Sequence, residues 1–358
     1  MTDSAGRGAA PGTASGAAPV RAPHLARRRT ITVVVLAGLL VAVAILSVVL
    51  GSRIVGLDAI GRGIEAAFGP EAATGFDAAA VQKRVPRTVL ALVAGAALGM
   101  SGAVMQGVTR NPLADPGILG VNMGASLAIV VGMAWFGLSS AASHVWVAIV
   151  GAAVTALLVY AIASLGGGAT PLKLALAGAA ASAALASFIS AVVLPRTDIA
   201  GNVRDWQIGG VGGGSWSQLS LALPFVVGGF AICMLSARSL NLLALGDDLA
   251  AGLGQRVTVA RAAGALGAVI LCGSVTAVAG PIGFVGLVVP HACRLLAGVD
   301  HRWLLPLSAA SGAILLTAAD IAGRMVAPPA EIAVGIITSF IGAPVFIWIV
   351  RRRKVREL

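Results

Sequence analysis

Long apolar stretches separated by short polar ones dominate the chain. The first, Ile31–Leu50, has the ~20 residues a membrane helix needs and carries no charged side chain. Eight further segments also lack Asp, Glu, Lys and Arg: Thr88–Thr109, Gly117–Leu138, Val145–Leu165, Leu174–Leu194, Leu219–Ala237, Ala262–Cys293, Trp303–Ala319 and Ile332–Val350. Ala262–Cys293, at 32 residues, is too long for one crossing, and Gly280, Pro281, Gly283 and Gly286 interrupt it. Arg238, Arg256 and Arg261 precede it, and Arg294 and Arg302 follow it. Basic loops favour the cytoplasm, so this segment goes in and returns. It is expected to divide near Gly280–Pro281, with a second pass that is short or partly re-entrant.

Ten passes result, which places both basic termini on the same, cytoplasmic, side. The expected fold is an all-α polytopic membrane protein. Its outer loops are then 51–87, 139–144, 195–218, the turn near 281, and 320–331. Five passes per half would relate any duplicated halves by inversion, a common transporter plan.

Composition agrees: mean hydropathy is +0.95, with 47 glycines among 358 residues. The net charge of +11 could suggest nucleic acid, but its location argues otherwise. Residues 1–30 carry Arg7, Arg21, Arg27, Arg28 and Arg29 against Asp3, and residues 351–358 carry Arg351, Arg352, Arg353, Lys354 and Arg356 against Glu357. Those are cytoplasmic flanks of membrane spans; no nucleic-acid partner is expected. Residues 1–30, rich in Gly, Ala, Pro and Ser, read as a disordered basic tail. Residues 31–358 form the transmembrane domain, and the first span reads as an uncleaved anchor. Cys233, Cys272 and Cys293 lie apart in or beside apolar runs and read as buried small hydrophobes.

The chemistry-bearing candidates are few. In "SGAVMQGVTRNPLADPGILGVNMGAS" (101–126) the pairs Asn111-Pro112 and Asp115-Pro116 break helical structure. They form either an ordinary turn or a gate at the inner mouth of a pathway, because irregular backbone at this depth must be buried in protein or line a cavity. Small residues four apart, Gly95/Gly99 and Gly264/Ala268, favour close helix packing. Ser101 in "GMSG" resembles an intramembrane protease serine with His291 as base, but nothing in the spacing brings them together. Asp320 is a costly intramembrane acid, yet Arg324 four residues later can pair with it on one helical face. No phosphate-binding GxxxxGK[ST], HExxH or metal-spaced Cys/His cluster occurs. No catalytic residue, metal or cofactor is therefore assigned to this chain.

One short stretch remains, "ALGDDLAAGLGQRV" (244–257). Leu242, Leu245, Leu249 and Leu253 recur at helical spacing; Asp247 or Asp248 suits the start of a helix, and Gly252 and Gly254 its end. The expected product is a two-turn amphipathic helix on the cytoplasmic surface. With two acids it is a poor match for anionic lipid and a better one for a groove on another protein.

Taken in order, "RVPR" (84–87), "SGAVMQ", "NPLADPGILG", "WQIGG" (206–210), "LALGDDLAAGLG" (243–254), "GPIGFVGLVVPHACRLLAGVDHR" (280–302), "AD" (319–320) and "GAPVFIW" (342–348) resemble the FecCD-type permeases. These are the permease subunits of type II ABC importers for iron–siderophore, haem and cobalamin. The likeness runs from about residue 30 to the C-terminus. It departs at "EIAVG" (331–335), where the family has proline after Glu-Leu. The resemblance implies ten helices per subunit and a pathway between two permease subunits, identical or paralogous, in the bilayer of the plasma membrane. It also implies two separate ATPase subunits that hold ATP-Mg and a substrate-binding protein outside. ATPase coupling then falls to Leu245, Gly246, Asp247, Asp248, Leu249, Leu253 and Gly254. The cytoplasmic gate falls to Asn111, Pro112 and Leu113, opposite Pro171 and Leu172, and docking of the binding protein to Arg84, Arg87 and Arg324. Ferric siderophore is the first expectation for the cargo, with haem or cobalamin as the alternative. An inverted-repeat secondary transporter and an intramembrane serine protease are the competing classes.

Overall fold

The apolar runs become helices. The computed structural model describes residues 22–51, 55–70, 72–138, 140–165, 170–328 and 330–354, and among them the chain is helical with no strand. In chain order the helices are α1 (Ala22–Val49), α2 (Leu57–Phe68), α3 (Phe76–Thr109), α4 (Val121–Phe136), α5 (Ala141–Ser164), α6 (Pro171–Val193), α7 (Thr197–Ile208), α8 (Trp216–Leu243), α9 (Asp247–Gly252), α10 (Val257–Ala279), α11 (Val285–Ala297), α12 (His301–Val326) and α13 (Val334–Lys354), with a 3-10 turn at Pro116–Leu119.

Seven of these are long and apolar enough to cross a membrane: α1, α3, α5, α6, α8, α10 and α12. Three shorter apolar helical stretches of 10–17 residues, in α4, α11 and α13, fall on the other apolar runs. The 32-residue run divides where glycine and proline predicted, α10 ending at Ala279 and capped by Gly280. Three expectations need correction. Helix α1 begins at Ala22, inside the stretch expected to be disordered, while residues 1–21 lie outside the described residues. The outer loop 51–87 contains α2 and the first turns of α3, and the loop 195–218 contains α7. Both α2 and α7 are only 12 residues long and carry charges, so a search for span-length apolar runs passes over them.

Helix α3 is the axis of the bundle. It packs against α12, α2, α10, α11, α8 and α1, and 78% of its most apolar window is buried, against 11% for α6. Glycine makes this possible. A Cβ on Gly95 would stand 2.3 Å from the Gly312 carbonyl oxygen, and one on Gly312 would stand 2.2 Å from that of Gly95. Likewise, a Cβ on Gly102 would meet the Gly286 oxygen at 2.0 Å. Helices without much lipid-excluding drive gain their association from such close backbone contact. Helix α6, by contrast, shows Leu172, Leu176 and Phe188 to the outside, a surface for lipid or a second subunit.

Candidate functional site

The residues singled out by sequence gather in three places along α3: its N-terminal end, expected to lie outside and called its outer end, the break after its C-terminal or inner end, and the short helix α9 beside that break.

At the outer end Arg84, Arg87 and Arg324 do come together, but their guanidinium groups point into the chain. The last carbonyls of a helix have no partner within it, and at the end of α1 these arginines supply one. Arg84 Nη1 donates to the carbonyls of Val49 (2.9 Å) and Val48 (3.3 Å). Arg324 Nη1 donates to those of Ser47 (2.9 Å) and Leu50 (3.1 Å), and its Nη2 to the Ser47 hydroxyl (2.8 Å). Gly51 lies so close that a Cβ there would stand 2.3 Å from Arg84 Nη2. Asp320 pairs with Arg324 at 3.1 Å, as its spacing suggested, and also with Arg87 at 2.8 Å. Arg87 reaches on to Glu331 at 2.6 Å. Asp320 and Arg324 are almost wholly enclosed, each side chain about 2% exposed. Arg87 and Glu331 border a cavity of about 370 Å³, which the glycine loop 210–213 and Trp206 also line.

At the inner end α3 stops on Arg110, which adopts a left-handed conformation (φ 51°, ψ 29°). Two side-chain-closed turns follow. Asn111 Oδ1 accepts from Leu113 N (3.0 Å), and Asp115 Oδ1 accepts from Gly117 N (2.8 Å) to start the 3-10 turn. Proline after each of these residues removes the donor that would continue a helix. Helix α6 packs on the 3-10 turn and begins at Pro171, its first turn capped by Thr170. The broken backbone is thus held in a defined form by Asn111 and Asp115, with Leu113 half-buried and Leu172 exposed.

Helix α9 differs in detail from expectation. It has six residues, capped by Gly246 (φ 110°) without a side-chain bond and closed at Leu253, with Gly254 at φ 82°. Neither Asp247 nor Asp248 is the cap; both lie in the first turn, where the helix dipole favours negative charge. Leu242 belongs to α8 instead. Leu245, Leu249 and Leu253 are each more than half exposed, while Ala250 faces inward and is buried. Asp247 turns toward the chain, where its Oδ1 accepts from Arg110 Nη2 (2.5 Å) and Arg261 Nη2 (2.9 Å).

Beside this, α8 and α12 are pinned together. Asn241 Nδ2 donates to Asp300 Oδ1 (2.7 Å), and Asn241 Oδ1 accepts from His301 N (2.9 Å). Burial works against the Asp300 carboxylate, yet the Asn241 amide and the Arg302 backbone N–H outweigh it, holding its carboxyl below the usual range. Arg294 donates to Gln106, whose amide in turn donates to the Gly286 carbonyl at 3.0 Å. Sequence reasoning missed the contacts of Arg110, Arg261, Asn241 and Gln106 because their partners lie 14 to 188 residues away. For Arg110 a signal existed: a cation next to a helix-breaking Asn-Pro. Ser101 is buried, with its hydroxyl donating to the Leu98 carbonyl (3.0 Å). That is a helix back-bond, and gives no support to the protease reading.

A helical bundle with lipid-length apolar helices, whose irregular backbone is buried in protein beside the bundle's central helix, is the architecture of a multi-pass membrane protein. The chain belongs to the FecCD transport family, which it matches over residues 30–352. It is 45% identical to the ferric enterobactin transport system permease protein FepD of Escherichia coli, over 75% of this chain and 81% of that protein. It is 43% identical to the iron(3+)-hydroxamate import system permease protein FhuB of Bacillus subtilis (76% and 71% covered) and 35% identical to the Fe(3+)-citrate import system permease protein YfmE of the same organism (91% and 96%). Among solved structures, a metal-chelate type ABC transporter in an inward-facing conformation superposes with a TM-score of 0.77. It is 28% identical, covering 90% of this chain and 99% of that one. The chain is accordingly a multi-pass membrane protein of a permease family.

Proposed function

We propose that this chain is the membrane-spanning permease subunit of an ATP-driven importer of ferric siderophore. It crosses the plasma membrane ten times in inverted five-plus-five halves, with both termini in the cytoplasm. A second permease subunit, identical or paralogous, completes the pathway, and the bare face of α6 supports that placement. Two separate ATPase subunits bind ATP-Mg below, and this chain holds no cofactor. A substrate-binding protein docks outside near Arg84, Arg87 and Arg324, where Glu331 is the more exposed member of its pair with Arg87, 39% against 11%, at the cavity mouth. The siderophore reading is supported by the names of the enterobactin and hydroxamate relatives; a hemin permease of Yersinia pestis at 39% identity and a cobalamin permease of Halobacterium salinarum at 40% keep those cargoes as the second reading.

The observation that carries the coupling role is the row Leu245, Leu249 and Leu253, exposed on a six-residue helix. A partner groove that buries this row would have to bury an arginine placed there, at a cost of several kcal/mol. Leu249→Arg is therefore expected to abolish co-purification of the ATPase subunit and ATP-driven uptake, with thermal stability of the permease unchanged. Retained ATPase association would end the coupling reading. Uptake of labelled ferric enterobactin, hemin and cobalamin in a strain lacking this gene, with and without it restored, identifies the cargo class.

A further inference from the structure

The left-handed residue at the inner end of α3 raises a chemical question. Helices commonly end on a residue of this conformation, and the usual occupant is glycine or asparagine. A side chain with a Cβ costs roughly 1 kcal/mol there, yet this chain has arginine, Arg110 at φ 51°. It is one of two non-glycine residues at positive φ among those described. Outliers of this kind persist where the side chain has a task, and the task is visible. Arg110 Nη2 meets Asp247 Oδ1 on the first turn of α9, and Arg261 at the start of α10 grips the same oxygen. Gly246, at φ 110°, turns the chain so that Asp247 faces this pair.

Arg110 is also covalently joined to Asn111, the first residue of the broken backbone. One peptide bond separates the cation that holds α9 from the side chain that closes the Asn111–Leu113 turn. The other side of α9 presents the exposed leucines. The short helix thus has an apolar face outward and a charged edge fastened to the end of the bundle's most buried helix.

We propose that the Arg110–Asp247–Arg261 cluster is the strut that carries movement of α9 to the Asn111–Leu113 gate, with Arg110 as a positioning residue. This rests on the coupling and gate readings above. When the ATPase subunits displace α9, Asp247 moves with it, and Arg110 draws the end of α3 and the adjoining turn along. Arg261 keeps the acid from rotating free and ties the start of α10 to the same motion. The pair is half exposed, with side chains 38% and 41% accessible, so it contributes little to holding the fold. Its effect is on the transmission of motion.

The test uses the complete importer in proteoliposomes, with Leu113→Cys as reporter. Cys233, Cys272 and Cys293 are buried, so a membrane-impermeant maleimide added outside reads position 113, and only in complexes whose ATP sites also face outside. ATP is expected to change the labelling rate. Arg110→Gly keeps the helix end and relieves its backbone, so stability should hold or rise. Even so, the ATP-dependent change should shrink by up to about fivefold, the equivalent of the ~1 kcal/mol upper limit for a half-exposed pair. Asp247→Asn should do the same, and the double variant should go no further than Asp247→Asn alone, as residues of one network behave. ATPase subunits should remain bound in Arg110→Gly, a residue outside the coupling row. A full ATP response in Arg110→Gly, or additive losses in the double variant, overturns the strut. If Leu113→Cys with Arg110 intact never responds to ATP while hydrolysis continues, the gate reading beneath it has failed, and the strut with it.

Discussion

The two ends of α3 both carry arginine–aspartate clusters, and they are built on opposite plans. At the outer end one carboxylate, Asp320, is 2% exposed and serves Arg87 and Arg324, and Arg324 together with Arg84 also completes the end of α1. At the inner end one carboxylate, Asp247, is 41% exposed and likewise serves two arginines, from the first turn of a six-residue helix. Ion pairs in contact with water contribute little, whereas removing one member of a buried set leaves an uncompensated charge. The same chemistry is therefore a large stabilising element at one end and a small one at the other.

The sharpest way to break this comparison is to neutralise each acid. Asp320→Asn leaves Arg87 and Arg324 without their shared counter-charge, and about 3–5 kcal/mol of stability should be lost. Thermal unfolding in detergent should show a large drop, and equal melting of Asp320→Asn and Asp247→Asn would refute the contrast. Ser47→Ala removes the hydroxyl acceptor of Arg324 Nη2 and the partner of Thr88. A hydrogen bond to a charged group is worth roughly 1.5–3 kcal/mol, so an intermediate loss is expected, additive with Asp247→Asn because the two lie far apart. Asp247→Asn alone should lower stability by less than about 1 kcal/mol.

The smallest effect concerns acid. Asp300 has its carboxyl held below the usual range in the folded chain, so the unfolded chain binds a proton first as pH falls. Its stabilisation is then complete above the ordinary carboxyl value near 4 and fades as pH drops through the lower folded value. The advantage of the natural chain over Asp300→Asn should be constant near neutral pH and shrink in that acid window. Its total should be at most about 1 kcal/mol, the size of a helix cap. A difference that grew on acidification would contradict the assignment.

Most of the helices were legible because lipid imposes a simple rule: every crossing segment must be apolar and long. The division at Gly280 was legible for the same reason, since a 32-residue run with basic flanks at both ends has no straight solution. The sites were legible only in outline. Asp320 and Arg324, four residues apart, could be paired from helix geometry, but Arg87 lies 233 residues from Asp320 and meets it only because α3 and α12 touch through Gly95 and Gly312. The inward turn of Asp247 was equally hidden, since it depends on the φ of Gly246 and on where α3 happens to stop. Helices α2 and α7 escaped because they mix charge with apolar residues below span length.

The capping of α1 has a consequence for how the chain is made. Helix α1 leaves the ribosome before α3 and α12, and its last carbonyls wait for guanidinium groups at positions 84 and 324. Arg84 arrives with the next long helix, but Arg324 arrives only when α12 has been threaded, 277 residues after Ser47. In a membrane an unmet carbonyl has few substitutes for its partner. Helix α1 is thus finished long after it is inserted, and a chain cut before residue 324 would carry an unsealed end at Ser47 and Leu50.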